Sequence, residues 1–374
     1  MYFKKLRLVN FRNYRDVVLS FSPRINVLLG ENGQGKTNIL EALNLITQGE
    51  SFRYGDNATL INHQSGEAIV QALVDQNDLD YKLDLRILKS RKTLTLNNKK
   101  VSSTSLKKVF ATVVFSPESL SAIKEGSDYR RSLVDELLVT FDRRNADLIA
   151  DFRKALKTRN KVLKNYLEGL QDKNTTEALL EALNPKFIEL AVDLSVARIT
   201  ALKGLSKEFN NAMQYISDNS TVDISVEYVI SNQNSLEFTK EEVFESLKNR
   251  IQELHNAELS SGTSLVGPHK HDVVFLYGQK DSRFYCSQGQ QRAIILSFKM
   301  AQIMYHRKAH GTYPVLMLDD VLSELDKYKR NALIKFLHDI NTQIFVTTTD
   351  FSLPESFSLD QLSVVHIKDG SILD

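Results

Sequence analysis

One octapeptide constrains this chain more than any other stretch. Gly30-Glu-Asn-Gly-Gln-Gly-Lys-Thr37 fits G-x-x-x-x-G-K-[ST], after an apolar strand (Ile25 to Leu29) and before an amphipathic helix predicted from about Lys36 to Thr47. Glycine here lets backbone N–H groups turn inward, where a Cβ would obstruct an anion. The amides of Gly30, Glu31, Asn32, Gly33, Gln34 and Gly35 would line a phosphate cradle. Lys36 would set a point charge between β- and γ-phosphates, and Thr37 would offer its hydroxyl to Mg²⁺. The helix N-terminus adds partial positive charge. ATP with Mg²⁺ is the expected cofactor pair. The bland alternative is a glycine-rich turn that merely caps a helix.

A second element weighs against that alternative. Pro314-Val-Leu-Met-Leu-Asp-Asp320 reads as a buried strand ending in two carboxylates. Asp319 would hold Mg²⁺ directly or through water, and Asp320 would orient or deprotonate an attacking water. Alone, such a pair more often caps the next helix. The Gly-Lys-Thr loop upstream reverses that preference.

Composition excludes some classes without choosing one. The chain has 374 residues, 42% hydrophobic and 25% charged, so it is neither disordered nor collagen-like. Its 48 basic and 46 acidic residues leave a net charge of +2, so a nucleic-acid footprint must come from local clustering. The single Cys286 excludes an intrachain disulfide and suits a reducing cytoplasm. Met1 to Asn10, with Lys4, Lys5 and Arg7 between apolar residues, reads as a strand and not a signal peptide. No stretch approaches the roughly 18 apolar residues of a membrane span, so no membrane partner is expected.

Along the chain, alternation between Ala68 and Val101, with Asn97-Asn98 as a turn, predicts an antiparallel meander. Thr112 to Phe115 is a strand, and Pro117 stands where a helix would begin. From Glu118 to Leu259 Leu, Ala, Glu and Lys recur at helical spacing, interrupted by one strand at Val222 to Ile230. Strands at Val273 to Tyr277 and Arg283 to Tyr285 lead to a helix from Gln288 to about His310, and strands at Ile344 to Thr348 and Ser363 to Ile367 follow. The expected division is a discontinuous lobe I, 1–117 and 305–374, and a mainly helical lobe II, 118–304.

Ser287-Gln-Gly-Gln-Gln-Arg292 introduces the Gln288 helix upstream of Asp319. Here the chain resembles the ATP-binding-cassette ATPases, whose signature loop has the sense Ser-Gly-Gly-Gln; Ser287, Gly289 and Gln290 match, and Gln288 replaces a glycine. The resemblance implies that this loop meets the γ-phosphate held by a second copy, and a serine at a helix N-terminus is a ready phosphate ligand. Ser323-Glu-Leu-Asp326 resembles the loop that contacts the opposing subunit, which makes Asp326 a candidate contact. Thr347, Thr348 and Thr349 end a strand where the superfamily often has a histidine switch, and which of them faces the γ-phosphate stays open.

Asn10-Phe-Arg-Asn-Tyr14, Phe115-Ser-Pro-Glu118, Gly267-Pro-His269, Gly289-Gln-Gln-Arg292 and Asp319 to Asp326 together resemble the RecF family of bacterial recombination-repair ATPases over essentially the whole chain. After Gly267-Pro-His269 the family commonly continues Arg-Asp-Asp, whereas Lys270, His271 and Asp272 follow here. The resemblance implies an α/β ATPase head of cassette type, with mixed sheets around the phosphate-loop helix, an inserted helical lobe and no long coiled coil. It also implies an ATP-driven homodimer that clamps gapped DNA at single-strand to duplex junctions, with slow hydrolysis that resets the clamp. RecR and RecO are the implied partners, in loading RecA. In related heads an arginine after the first strand reaches the nucleotide, which assigns Arg12. Two rival classes are a nucleotide-gated DNA scaffold with incidental hydrolysis and a transporter-type motor.

Length argues separately against long arms. If all of Glu118 to Leu259 formed two antiparallel helices, each would reach about 105 Å, and Pro185 and the strand would shorten them. Between Phe152 and Lys164 the basic residues Arg153, Lys154, Lys157, Arg159, Lys161 and Lys164 occur without an acidic one. Arg153, Lys157, Lys161 and Lys164 form one helical stripe that could follow a phosphate backbone, a solvated helix face being equally compatible. Arg130-Arg131, Lys99-Lys100 and Lys107-Lys108 read as ordinary surface pairs. His269 and His271, with the lone Cys286, fall short of a zinc set and suit hydrogen-bonding roles.

Overall fold

Alternating burial, shifted by a bulge between Phe3 and Lys5, builds the first layer. In β1 (Tyr2–Phe11) Phe3, Leu6 and Leu8 are buried, and β1 pairs antiparallel with β2 (Tyr14–Ser20). The computed structural model describes residues 1–53, 55–217, 223–349 and 362–373. β3 (Ile25–Leu29) leads into α1 (Lys36–Gln48), and a short α2 (Asn57–Leu60) precedes β4 (Glu67–Gln76), β5 (Leu79–Leu88), β6 (Arg91–Leu96) and β7 (Lys99–Val101). These last four form the expected meander and join β1 and β2 in a six-stranded sheet, ordered β2-β1-β4-β5-β6-β7. Two of its two-residue turns, Asn77-Asp78 and Asn97-Asn98, have positive φ at both residues, which Asn and Asp tolerate.

After α3 (Ser103–Val109), β8 (Thr112–Phe115) and α4 (Pro117–Leu120) the chain turns helical, with α5 (Ser127–Phe141), α6 (Asn145–Leu167) and α7 (Lys173–Ile216). The expected breaking effect of Pro185 does not occur, because the 44-residue α7 runs through it. Burial of Leu180, Phe187, Leu190, Val192 and Leu194 outweighs the roughly 3 kcal/mol penalty of an interior proline. α7 spans about 66 Å at 1.5 Å per residue, well below the length permitted by the whole segment.

β9 (Ile224–Ile230) confirms the strand expected there, although Val222 lies outside the described residues. β10 (Gln233–Asn234), α8 (Lys240–Ser261), β11 (Asp272–Tyr277) and β12 (Lys280–Asp281) follow, giving a four-stranded sheet ordered β10-β9-β11-β12. Arg283 to Tyr285 is not the strand expected from sequence but part of α9 (Ser282–Tyr285). Asp281 caps that turn through the Arg283 N–H at 2.9 Å, a local bond that competes with strand pairing. α10 (Gln288–His310), β13 (Val315–Leu318), a 3₁₀ turn at Val321–Glu324, α11 (Lys327–Asp339), β14 (Ile344–Thr348), β15 (Leu362–Lys368) and β16 (Ser371–Leu373) complete the order.

The chain divides into two compact units: Met1–Leu120 with Tyr215–Asp218 and Ile295–Asp374, and Ser121–Gln214 with Asn219–Ile294. In the first unit a second sheet, ordered β16-β15-β3-β14-β13-β8, is parallel except for the terminal hairpin. α1 contributes Ile39, Leu40, Ala42, Leu43, Leu45 and Ile46 to a core shared with residues of both sheets, all six with no exposed surface. Two sheets packed around the loop helix are the cassette-type head that the sequence implies. The Gln343 carboxamide ties them polar to polar, accepting the Phe3 N–H at 2.7 Å and donating to Phe3 O at 2.9 Å.

Candidate functional site

β3, β14 and β13 lie side by side and parallel, with Leu29 beside Thr348 and Val346 beside Leu318. Their carboxyl ends therefore open on one edge, the place where such sheets take ligands. The loop after β3 starts without room for a side chain, since a Cβ on Gly30 would lie 2.3 Å from Ile367 O. Gly33 and Gly35 have φ of 82° and 117°, a left-handed geometry that favours glycine. Gly35 is the N-cap of α1; no side chain caps this end and no acidic residue occupies its first turn. Such an end attracts an anion.

Lys36 folds back over its own loop, donating from Nζ to Gly30 O at 2.5 Å and Glu31 O at 2.7 Å. Burial pushes its pKa down, opposed by the carboxylates of Asp320 and Asp319. Thr37 Oγ1 donates to Asp319 Oδ1 at 2.8 Å, so the loop and the end of β13 meet as the sequence predicts. Thr347 Oγ1, from the strand between them, also donates to Asp319 Oδ1 at 3.0 Å and accepts the Asp320 N–H at 2.8 Å. Burial raises the Asp319 pKa, against these two hydroxyl bonds. A buried carboxylate beside a threonine hydroxyl is a hard oxygen pair that fits Mg²⁺ with phosphate oxygens completing its shell. Among the described residues no group of three His, Cys, Asp or Glu could hold a metal by itself.

Asp320 adopts φ 50° at the strand end, half-buried, with its Oδ1 accepting the Ser323 hydroxyl at 2.9 Å. Thr347 is buried and committed to both aspartates, while Thr348 is half-buried and Thr349 exposed. Asp326 is exposed and caps α11 through the Lys329 N–H at 2.9 Å; its bond to the Lys329 ammonium helps hold the carboxyl below its usual range.

Arg12 is placed beside α1, with each of its three guanidinium nitrogens making one hydrogen bond. Its Nε and Nη2 donate to the two oxygens of Glu41 at 2.8 and 2.6 Å, and Nη1 donates to Thr59 O at 2.8 Å. Glu41 has no exposed surface and also accepts the Ser51 hydroxyl at 2.5 Å. Sequence reasoning passed over Glu41, although a lone acid inside the buried run Ile39-Leu40-Glu41-Ala42-Leu43 was a signal for a buried ion pair. Asn13 was missed as well: it donates to Gln34 O at 2.9 Å and accepts from Asn38 Nδ2 at 2.8 Å.

The signature residues belong to the second unit. Ser287 and Gly289 are exposed at the start of α10; the Ser287 N–H donates to Gln290 Oε1 at 2.8 Å, and Ser287 Oγ accepts the Gln290 N–H at 3.3 Å. This reciprocal bonding holds the serine at a helix N-terminus. On α6, Arg153, Lys154, Lys157, Lys161 and Lys164 are exposed, but Arg159 is not part of any surface run. It is fully buried, donating to Glu258 Oε2 at 2.6 Å, Ser264 Oγ at 2.7 Å and Asn184 Oδ1 at 3.0 Å. Arg130 and Arg131 likewise are not a surface pair. Both are buried, Arg130 forking onto Asp272 at 3.0 and 2.9 Å and Arg131 donating to His271 O at 2.7 Å, because guanidinium forks can satisfy a loop that lysine could not. His271 Nδ1 lies 2.8 Å from Tyr228 OH, and His269 Nε2 lies 3.0 Å from Ser264 O.

A family profile described as RecF/RecN/SMC N terminal domain matches residues 2–371. The DNA replication and repair protein RecF of Heliobacterium modesticaldum is 31% identical over 374 residues, covering 100% of this chain and 99% of its own length. The protein of the same name from Lactobacillus acidophilus is 32% identical over 382 residues, covering 100% and 98%. Among solved structures, the recombination mediator protein RecF-ATPrS in the RecFOR pathway superposes with a TM-score of 0.85 at 30% identity, covering 99% of this chain and 97% of that one. An Smc head domain from Pyrococcus furiosus shares the fold, with a TM-score of 0.54 at 16% identity, covering 99% and 95%.

Proposed function

Starting from the fact that this chain belongs to the RecF family of DNA replication and repair proteins, within the RecF/RecN/SMC group, we propose that it is a Mg²⁺-dependent, DNA-stimulated ATPase whose ATP-bound heads pair to clamp DNA. The observation that carries this reading is the Thr37, Asp319 and Thr347 cluster beside the Lys36 loop. It preorganises donors and a carboxylate at one strand edge before any ligand arrives.

In this reading Lys36 exchanges its two carbonyl partners for the β- and γ-phosphates, and the amides of residues 30–35 receive the remaining oxygens. Thr37 and Asp319 would hold Mg²⁺, which would supply positive charge to neutralise the triphosphate. Asp320 orients the attacking water and takes its proton. Lobe I, assigned to 1–117 and 305–374, carries this cradle, and lobe II, 118–304, presents Ser287, Gly289 and Gln290 to the γ-phosphate of a second copy, with Asp326 at the same junction. Arg12 serves the nucleotide from beside α1. Because the signature contact exists only with γ-phosphate, hydrolysis removes what favours the closed pair. Single-strand to duplex junctions are the DNA substrate, the α6 lysines follow its backbone without reading sequence, and RecR and RecO are the partners in loading RecA. The protein works in the cytoplasm, and among the described residues no helix is long and apolar enough to cross a membrane.

Sedimentation of the full chain tests this directly. With ATP and gapped DNA the wild type is expected to sediment as a dimer, and without ATP as a monomer. Ser287→Arg is expected to bind ATP yet stay monomeric. A normal ATP-dependent dimer of Ser287→Arg would remove the signature contact from the account.

A further inference from the structure

The turn between β15 and β16 reaches back to the phosphate loop. Its two residues, Asp369 and Gly370, have φ of 48° and 69°. Both of their amides donate to a single loop residue: Asp369 N–H to Gln34 Oε1 at 2.5 Å and Gly370 N–H to Gln34 O at 3.1 Å. The same Gln34 carbonyl accepts Asn13 Nδ2 at 2.9 Å, and Tyr14 OH donates to Gly35 O at 3.1 Å. There is no space to spare, since a Cβ on Gly370 would lie 2.4 Å from Asn13 O.

Peptide geometry gives these contacts a consequence. No peptide bond among the described residues is cis. In a trans peptide the carbonyl and the following N–H point in opposite directions across one plane. Two donors holding the Gln34 carbonyl outward therefore turn the Gly35 N–H to the opposite side, into the cradle; the Tyr14 bond to Gly35 O does the same for the Lys36 N–H. We infer that the Asp369-Gly370 turn is a positioning device for nucleotide binding, fixing the Gln34–Gly35 peptide so that its amide is already aimed at phosphate. The turn touches no reacting atom and acts through Gln34. Without it the peptide can flip, and ATP must bear the cost of reordering it.

This inference rests on the loop of residues 30–37 being the ATP cradle, and titration calorimetry of ATP into the full chain separates the two. Wild type that fails to bind ATP overturns the cradle itself. Given wild-type binding, Gly370→Ala is expected to raise the Kd for ATP at least about tenfold with unchanged stoichiometry. Ser371→Ala, in the same hairpin but off the loop, is expected to leave the Kd unchanged. A turn that only stabilises the fold would instead lower the stoichiometry and leave the Kd of the folded fraction as in wild type, and that result overturns the inference. Should Gly370→Ala not fold, Gln34→Ala decides, since it removes only the Asp369 acceptor. A rise of about threefold to tenfold supports the positioning role, and an unchanged Kd ends it.

Discussion

Glu41 is a carboxylate with no solvent contact, lodged one turn past Thr37 on a helix that is buried on nearly all sides. It is tolerable there because Arg12 covers both its oxygens, and Arg12 can do so because its backbone takes φ 52° at the end of β1. Arg12→Ala is therefore expected to destabilise the first unit by about 3 kcal/mol, leaving the buried Glu41 carboxylate only the Ser51 hydroxyl and the Arg53 guanidinium 4.0 Å away, and urea unfolding with a nucleotide-free sample measures it. Arg12→Ala with Glu41→Gln together should recover part of that loss. The sequence pointed to Arg12 by resemblance alone. Its partner was legible only as an acid in an apolar run, and nothing in spacing says which of several basic residues covers a buried acid across 29 positions. Lys36, Thr37 and Asp319 were legible because their motifs encode a shared chemistry. Spacing leaves Thr347 one of three threonines at a strand end, and its bonds to Asp319 and Asp320 follow from strand register.

Elements were readable where period and turn chemistry agree. The meander from β4 to β7 alternates cleanly and turns at Asn and Asp residues in two of its three hairpins, so its pairing could be expected from the residues themselves. Arg283 to Tyr285 misled because three bulky residues suit a strand, while the decisive influence is Asp281 just before them. The segment between α8 and β11 adds a pH dependence. Burial holds His269 down to about 4 and His271 well below the ordinary imidazole range, with Arg198 and Arg131 adding to the effect at His271. Both rings are neutral when folded, and the unfolded chain takes up protons below about pH 6.5, so stability is full above that pH and falls as pH drops. Denaturant titrations of the second unit's transition at pH 7.5 and 5.5 should differ by up to about 1.4 kcal/mol per imidazole for each pH unit below 6.5. His271→Gln should flatten the dependence.

For the molecule as a whole, net charge says little, and the distribution of lysine says more. Lys154, Lys157, Lys161 and Lys164 face solvent on α6, whereas Arg130, Arg131 and Arg159, which looked similar in the sequence, hold the second unit together. Composition cannot separate these uses, because a guanidinium is equally at home in a buried fork and on a phosphate. Changing both Lys157 and Lys161 to Glu is expected to weaken association with gapped DNA and to lower the slope of log affinity against log salt by about two, read by fluorescence anisotropy across a salt series. Wild-type affinity at every salt concentration would take α6 out of the DNA footprint. The parallel sheet imposes a further condition, on synthesis. β3 is made early, yet both of its neighbours, β14 and β15, come more than 300 residues later. Such distant pairing is slow and must wait for the remote partners. A ribosome therefore has to complete β15 before the sheet behind the glycine-rich loop can close on both sides of β3, and a messenger cut short of β15 would yield a product whose β3 keeps an open edge.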